Sequence, residues 1–134
     1  MRQDQWANTV SIDGQPMGVW DTLAGGGSGS DNTVYRPGGM SPQVSLGGPR
    51  TIAEITLGRL ISREDWDYMH QLMNRTGQAR ATVSRQPLDE DGNPWGRPLT
   101  YTGIVSNCNP GDTDSNSSDA QVWEITVTPE GSVA

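Results

Sequence analysis

The sequence contains no lysine and no phenylalanine, and only one cysteine and one histidine. Each gap excludes something. Without lysine, the glycine-rich stretch Ala24-Gly-Gly-Gly-Ser-Gly-Ser30 cannot be a P-loop, whose lysine grips phosphate, and its glycines do not spell the dinucleotide fingerprint. Cys108 alone excludes an internal disulfide and gives no metal-ligand set, so it reads as a buried structural thiol. His70 is placed on the packing side of a helix with no nucleophile beside it, so no catalytic constellation and no cofactor site is found. Aliphatic residues are also scarce: Leu, Ile and Val make up about 16% of the chain, below the roughly 20% at which charged chains begin to look disordered.

What is present offsets these gaps. Five Trp, three Tyr and five Met bring large apolar areas to a thin core, which predicts a protein that completes its burial against partners. The formal charge is -7, from 16 acids and nine bases, all arginine, a balance that repels nucleic-acid phosphate. At 134 residues the chain suits one domain, 1–134, and is too short for two comfortable ones. No basic-then-apolar segment opens it and no apolar run approaches membrane-spanning length, which predicts a soluble chain without membrane insertion.

Hydrophobic periodicity and turn signals give the element order. Trp6 to Ile12 runs into Asp13-Gly14, a hairpin turn, and Gln15 to Leu23 returns. Ser41 to Arg50 is broken by Pro42, Gly47, Gly48 and Pro49 and suits an edge arm. Thr51 to Ile61 reads as one long strand, with Ala53, Ile55, Leu57 and Ile61 on one face. Ser62 then caps the one substantial helix, in which Trp66, Met69, His70 and Met73 recur at helical spacing as the packing stripe. Gln78 to Gln86 alternates as a strand, a turn-rich Leu88 to Trp95 reverses the chain, and Leu99 to Asn107 runs back. Val122 to Thr128 closes the order with Trp123, Ile125 and Val127 on one face. The fold class expected is mainly β (α+β): an antiparallel β-barrel or sandwich with one flanking α-helix and a long extended loop near the N-terminus.

Sharper sites do not displace this frame. Asp112-Thr-Asp-Ser-Asn116 opens like a calcium loop but has Ser117 where glycine is needed and Trp123 where a bidentate glutamate is needed; Asp89, Asp91 and Asn93 fail similarly. Both read as solvated turns, and no metal is expected. Trp20 and Trp95, left over from the core faces, are the residues of a carbohydrate-stacking platform on a β-sandwich, an alternative to core and interface packing. Arg75, Arg80 and Arg85 read as partners for acids on a neighbouring subunit, so assembly should weaken as salt rises.

Tyr35-Arg-Pro-Gly-Gly-Met40, Val44-Ser-Leu-Gly-Gly48, the strand and helix to Met73 and Thr82-Val-Ser-Arg-Gln-Pro-Leu-Asp-Glu-Asp-Gly-Asn-Pro94 together resemble tail tube proteins of tailed phages, particularly those infecting actinobacteria. Gly96-Arg-Pro-Leu-Thr-Tyr-Thr-Gly103 and Asp114-Ser-Asn-Ser-Ser-Asp119 extend the resemblance over nearly the whole chain. It implies a β-barrel flanked by a helix, related to tube subunits of contractile injection systems, that forms hexameric rings stacked into a hollow conduit for DNA ejection. Implied partners are further copies of the chain and tape measure, sheath or baseplate proteins, with genomic DNA passing through unbound. The implied location is the virion tail, assembled in the host cytoplasm. A baseplate hub or tube-capping ring is the alternative within the same architecture. Residues 24–50 would be an inter-subunit or inter-ring loop, loose in the free subunit, that makes contact through Tyr35, Arg36, Met40, Val44 and Leu46. Trp66, Met69, Met73, Trp123 and Ile125 are the expected core and helix packing residues.

Overall fold

Asp13 and Gly14 both take positive φ, 52° and 81°, the geometry of a two-residue turn whose twist matches the flanking strands. In the computed structural model, which describes residues 2, 4–111, 113–119 and 121–134, this turn joins β1 (Trp6–Ile12) to β2 (Gln15–Trp20). The β1–β2 pairing shifts register between Thr9 and Ser11. The buried residues of β2 are therefore Met17 and Trp20, three apart. Trp20, expected at the surface, is only 1% exposed, because a bulge resets the alternation that a strict period of two assumes.

The expected second strand is divided. After Trp20 a single residue, Asp21, leads into β3 (Thr22–Gly25). The glycine-rich stretch then continues as β4 (Ser28–Ser30), followed by β5 (Thr33–Tyr35), β6 (Val44–Leu46) and β7 (Arg50–Ile52). β4 pairs with β7 and β5 with β6, both antiparallel. Residues 28–52 thus form a hairpin arm instead of the loose loop expected. The long strand expected over Thr51 to Ile61 is also cut, at Ala53 and Glu54, into β7 of the arm and β8 (Ile55–Leu60). The break lies opposite Gly25, whose φ is +91° and where a Cβ would stand 1.9 Å from the Glu54 carbonyl oxygen. Both chains leave the main sheet at this crossing, and only glycine fits it.

The helix α1 (Arg63–Asn74) follows β8, and β9 (Arg80–Pro87), β10 (Leu99–Asn109) and β11 (Val122–Pro129) complete the chain. The main sheet has the order β2-β1-β9-β10-β11-β8-β3, with every pairing antiparallel. Its two edge strands, β2 and β3, are separated in sequence by Asp21 alone. A sheet whose edges are joined by one residue cannot lie flat; it must curl until they meet, as a barrel. At the seam the Asp21 N–H donates to the Gly58 carbonyl at 3.1 Å.

Inside this barrel lie Ile12, Trp20, Ile55, Leu57, Val83, Val105, Trp123, Ile125 and Val127, all buried. Trp20 and Trp123 meet with ring centroids 4.9 Å apart, tilted by 55°, and supply much of the volume that the few aliphatic residues cannot. The helix contributes Met69 and Leu72 to the same core. Trp66 and Met73, expected on the packing stripe, are 51% and 45% exposed, and His70 is exposed as well. A competing stripe wins: Tyr68, Met69 and Leu72 sit at the same helical spacing and face the barrel, turning Trp66, His70 and Met73 outward. Ser62 occupies the N-cap position in extended conformation, but its hydroxyl donates to Asp65 Oδ2 at 3.0 Å and caps no backbone N–H.

Candidate functional site

The arm is the feature that a self-sufficient barrel does not need. Its ladder begins where the Ala53 N–H donates to the Gly27 carbonyl at 2.8 Å. Between the pairs Ser30↔Arg50 and Thr33↔Leu46 the returning strand carries one residue more than its partner. Gly48 takes up this bulge: its N–H donates to Asn32 Oδ1 at 3.3 Å, and a Cβ there would lie 1.7 Å from the Asp31 carbonyl oxygen. Beyond the bulge Tyr35 stands directly opposite Val44, and Leu46 opposite Thr33. Cross-strand partners share a face, so Tyr35, Val44 and Leu46 form one apolar face while Val34 lies on the other with Ser45. Arg36 follows at the tip, where Met40 is fully exposed at 103%. Of the five residues expected to make contacts, the structure thus brings Tyr35, Val44 and Leu46 together and sets Arg36 and Met40 beyond them. All five side chains are open to solvent. An exposed apolar face this long on an antiparallel ribbon is what a docking surface requires and what a free edge normally avoids.

Two arginines are built into the barrel: Arg59, which the sequence reading missed, and Arg85, which it assigned to pairing with a neighbouring subunit. Arg59 continues the inward positions of Ile55 and Leu57, and its guanidinium lies 4.7 Å from the Trp20 ring centroid and 5.6 Å from that of Trp123. It pairs with Asp65 at 2.8 Å, the two side chains being 14% and 22% exposed, and also donates to the Met17 carbonyl. One side chain thereby ties β8 to β2 and to the first turn of the helix. Arg85 continues the inward positions of Ala81 and Val83 and lies 4.9 Å from the Trp6 ring centroid. The signal for both was in the sequence: a charge at an inward position of a period-two strand, which a reading of apolar positions alone passes over.

The other expected arginine contacts resolve within the chain. Arg75 pairs with Asp13 and Arg80 with Glu130, so each has a carboxylate partner inside the chain. Asp89 Oδ1 accepts from the N–H groups of Asp91 and Asn93, at 3.0 and 2.8 Å, making it the closing acceptor of a turn. Asp114 does the same for Asn116 at 3.0 Å. Asp112, the first residue of the other calcium-like opening, lies outside the described residues. Asn109, Gly111, Asp114, Asp119 and Glu124 are among the residues that line an open acidic cup of about 890 Å³. Burial pushes the Cys108 thiol above its ordinary range, opposed by the Trp123 indole, whose Nε1–H donates to Sγ at 3.3 Å. Trp95 is half exposed, but Trp20 is buried, so the pair expected for a stacking platform does not share a surface.

No protein-family model matches the chain, and no curated protein sequence does. Solved structures do. Over its whole length the chain superposes on 93% of a chain in the six-fold symmetrised anti-feeding prophage baseplate, with a TM-score of 0.75 and 14% identity. The two chains share one fold. It also superposes, over 97% of its length and 87% of the other chain, on a chain of the cap that terminates the anti-feeding prophage tube, with a TM-score of 0.69 and 15% identity. A third match is to a chain of the sheath–tube complex of an extracellular contractile injection system in its extended state: TM-score 0.65, 19% identity, covering 100% of this chain and 89% of that one. At these identities the likeness concerns the fold.

Proposed function

We propose that this chain is a self-assembling structural subunit of a phage-tail-like particle, and specifically a tail tube protein of a bacteriophage that forms hexameric rings stacked into a hollow conduit for DNA. The observation that carries the reading is the arm: a barrel with a complete interior extends a ribbon that leaves Tyr35, Val44, Leu46 and Met40 uncovered. Fully burying one such side chain stabilises by about 1.5–3 kcal/mol, enough in aggregate to drive association once the loss of rotational and translational freedom is subtracted. The arm, residues 28–52, overlaps residues 24–50, the inter-ring contact implied by the resemblance to tail tube proteins. The superposition on chains of injection-particle structures supports the same class of assembly. A net charge of -7 suits a conduit through which phosphate passes without sticking. Sheath, baseplate and tape measure proteins are the partners this role requires, and the tail of the virion is its location.

The second reading, a tube-capping or baseplate ring, is favoured by the superpositions on chains of a baseplate and of a tube-terminating cap. Negative-stain microscopy of the concentrated purified protein separates the readings. Long hollow tubes are the expected outcome, and single rings that do not elongate would instead select the cap or hub. A chain that stays monomeric at every concentration and ionic strength would remove both.

A further inference from the structure

With Arg75 and Arg80 paired inside the chain, Arg85 stands apart. The pairing Asn8↔Arg85 puts it on the inward face of β9, stacked on Trp6. Its Nε is buried with no acceptor, and no carboxylate among the described residues pairs with it. Arg59, whose Nε is likewise buried without an acceptor, shows what this protein adds to the same construction: a guanidinium stacked on tryptophan is given one carboxylate and one backbone carbonyl through its terminal nitrogens. Arg85 has the tryptophan and lacks the rest. Beside it the Oδ1 of Asn8, a residue only 8% exposed, is also buried without a donor. Leaving such groups unmet is costly, so they are expected to find partners.

The topology leaves space for one. β2 pairs with β1 only from Asn8 onward, so Trp6 and Ala7 are paired on one side alone, and the chain turns away at Asp21 into β3. The divergence opens a recess of about 290 Å³ lined by Trp6, Asn8, Asp21, Thr22, Leu23 and Arg85. It is at the low end of ligand-pocket size, suiting one side chain and its peptide group. Asp21 on its rim disfavours a multiply charged anion and tolerates a single carboxylate.

We propose that this recess is a socket for an acidic turn of a second copy of the chain, in which a carboxylate seats on Arg85 and a backbone N–H donates to Asn8 Oδ1. The occupant is the turn Asp89–Asp91. Glu90 and Asp91 are exposed and take no part in an ion pair among the described residues. The Asp89 carboxylate holds the turn in shape from within. It springs from the end of β9 that also carries Arg85, and the head-to-tail interface of a ring of more than two copies joins unlike patches of one surface. The identity of the second copy rests on the self-assembly reading; the chemistry of the socket does not.

The test is a titration of the dilute, ¹⁵N-labelled protein with a synthetic peptide of residues 88–94, read by NMR at the Arg85 Nε–H, the Asn8 side-chain amide and the Trp6 indole. All three signals should shift together at millimolar peptide. Arg85→Met should abolish the shifts and Arg85→Lys should weaken them severalfold, the second variant serving if the first fails to fold. A peptide with Glu90→Gln and Asp91→Asn should shift nothing, and so should inorganic phosphate. Absence of shifts with the acidic peptide, or equal shifts with phosphate, overturns the socket and leaves the assembly reading standing. Shifts seen in a protein that never assembles would leave the socket standing and remove the assembly reading. In the assembled protein, Arg85→Glu should raise the concentration needed for particles about tenfold, the effect of about 1.4 kcal/mol.

Discussion

Arg59 shows how one residue organises a barrel that has few aliphatic side chains to spend. Its guanidinium covers the faces of Trp20 and Trp123 while Asp65 neutralises it, so the aromatic core has a charge-paired lid, although the Arg59 Nε has no hydrogen-bond partner. Removing one partner of a buried pair costs about 3–5 kcal/mol; because both partners retain some exposure, Asp65→Asn should destabilise by about 2 kcal/mol in urea unfolding. Replacing both, as Arg59→Met with Asp65→Leu, should recover part of that loss, since no charge is then left stranded. Cys108 gives a second prediction at this scale. Burial raises its pKa, with the Trp123 indole acting against it, so the thiol stays protonated further into the alkaline range than a free cysteine. Alkylation by iodoacetamide at pH 8 should therefore be slower than for a model thiol and should accelerate as the pH rises; a rate equal to that of the model thiol would contradict the burial. Both features were within reach of the sequence only in part. Trp123 and Ile125 fall on an inward face by simple alternation, whereas Arg59 fits that alternation by position and contradicts it by chemistry.

At the level of elements, the arm is the least conventional part of the chain and the part on which its assembly is proposed to depend. Gly48 sits where any side chain would strike the Asp31 carbonyl, so Gly48→Ala should disturb the ladder locally while leaving the barrel intact. Circular dichroism and the urea midpoint should change little, since the arm shares no strand with the main sheet. Replacing Tyr35 and Leu46 together by serine should likewise leave the monomer folded and raise the concentration needed for assembly at least tenfold, read by light scattering. Unchanged assembly in that double variant would remove the arm from the interface. How much of this was legible follows from local rules. The Asp13-Gly14 hairpin, the helix after Ser62 and the three long strands from Arg80 onward are written in turn residues and periodicity. The arm was not, because glycine, serine and proline signal turns and breaks and not strands, and here tertiary pairing between β4 and β7 decides. The same limit cut the strand expected at Thr51 to Ile61: nothing between Ile52 and Ile55 breaks the pattern, and the division comes from Gly25 on the facing strand. Within the helix the stripe led by Trp66 and the stripe led by Tyr68 have equal spacing, and only the direction of the barrel chooses between them.

For the whole molecule the question is which electrostatic term governs association. Three arginines available to neighbours would make assembly salt-sensitive in one direction: more salt, weaker pairs. With Arg75 and Arg80 engaged inside the chain, that argument keeps one arginine, while every copy still carries a formal charge of -7. In the proposed ring, repulsions between such copies would sum over the whole perimeter. Those act at long range and are screened within about 8–10 Å at physiological ionic strength, whereas a single half-buried pair is screened far less. The apolar face of the arm adds a contribution that salt does not weaken and that sulfate strengthens. The expected outcome is therefore the reverse of the pair-dominated one: raising sodium chloride from low to physiological concentration should lower the protein concentration at which particles appear, and sodium sulfate should lower it further. Arg85→Glu should shift that curve without changing its direction. Sedimentation across a salt series checks this directly, and a critical concentration that rises with salt would mean that charge pairs between copies, and not the exposed face of the arm, hold the assembly together.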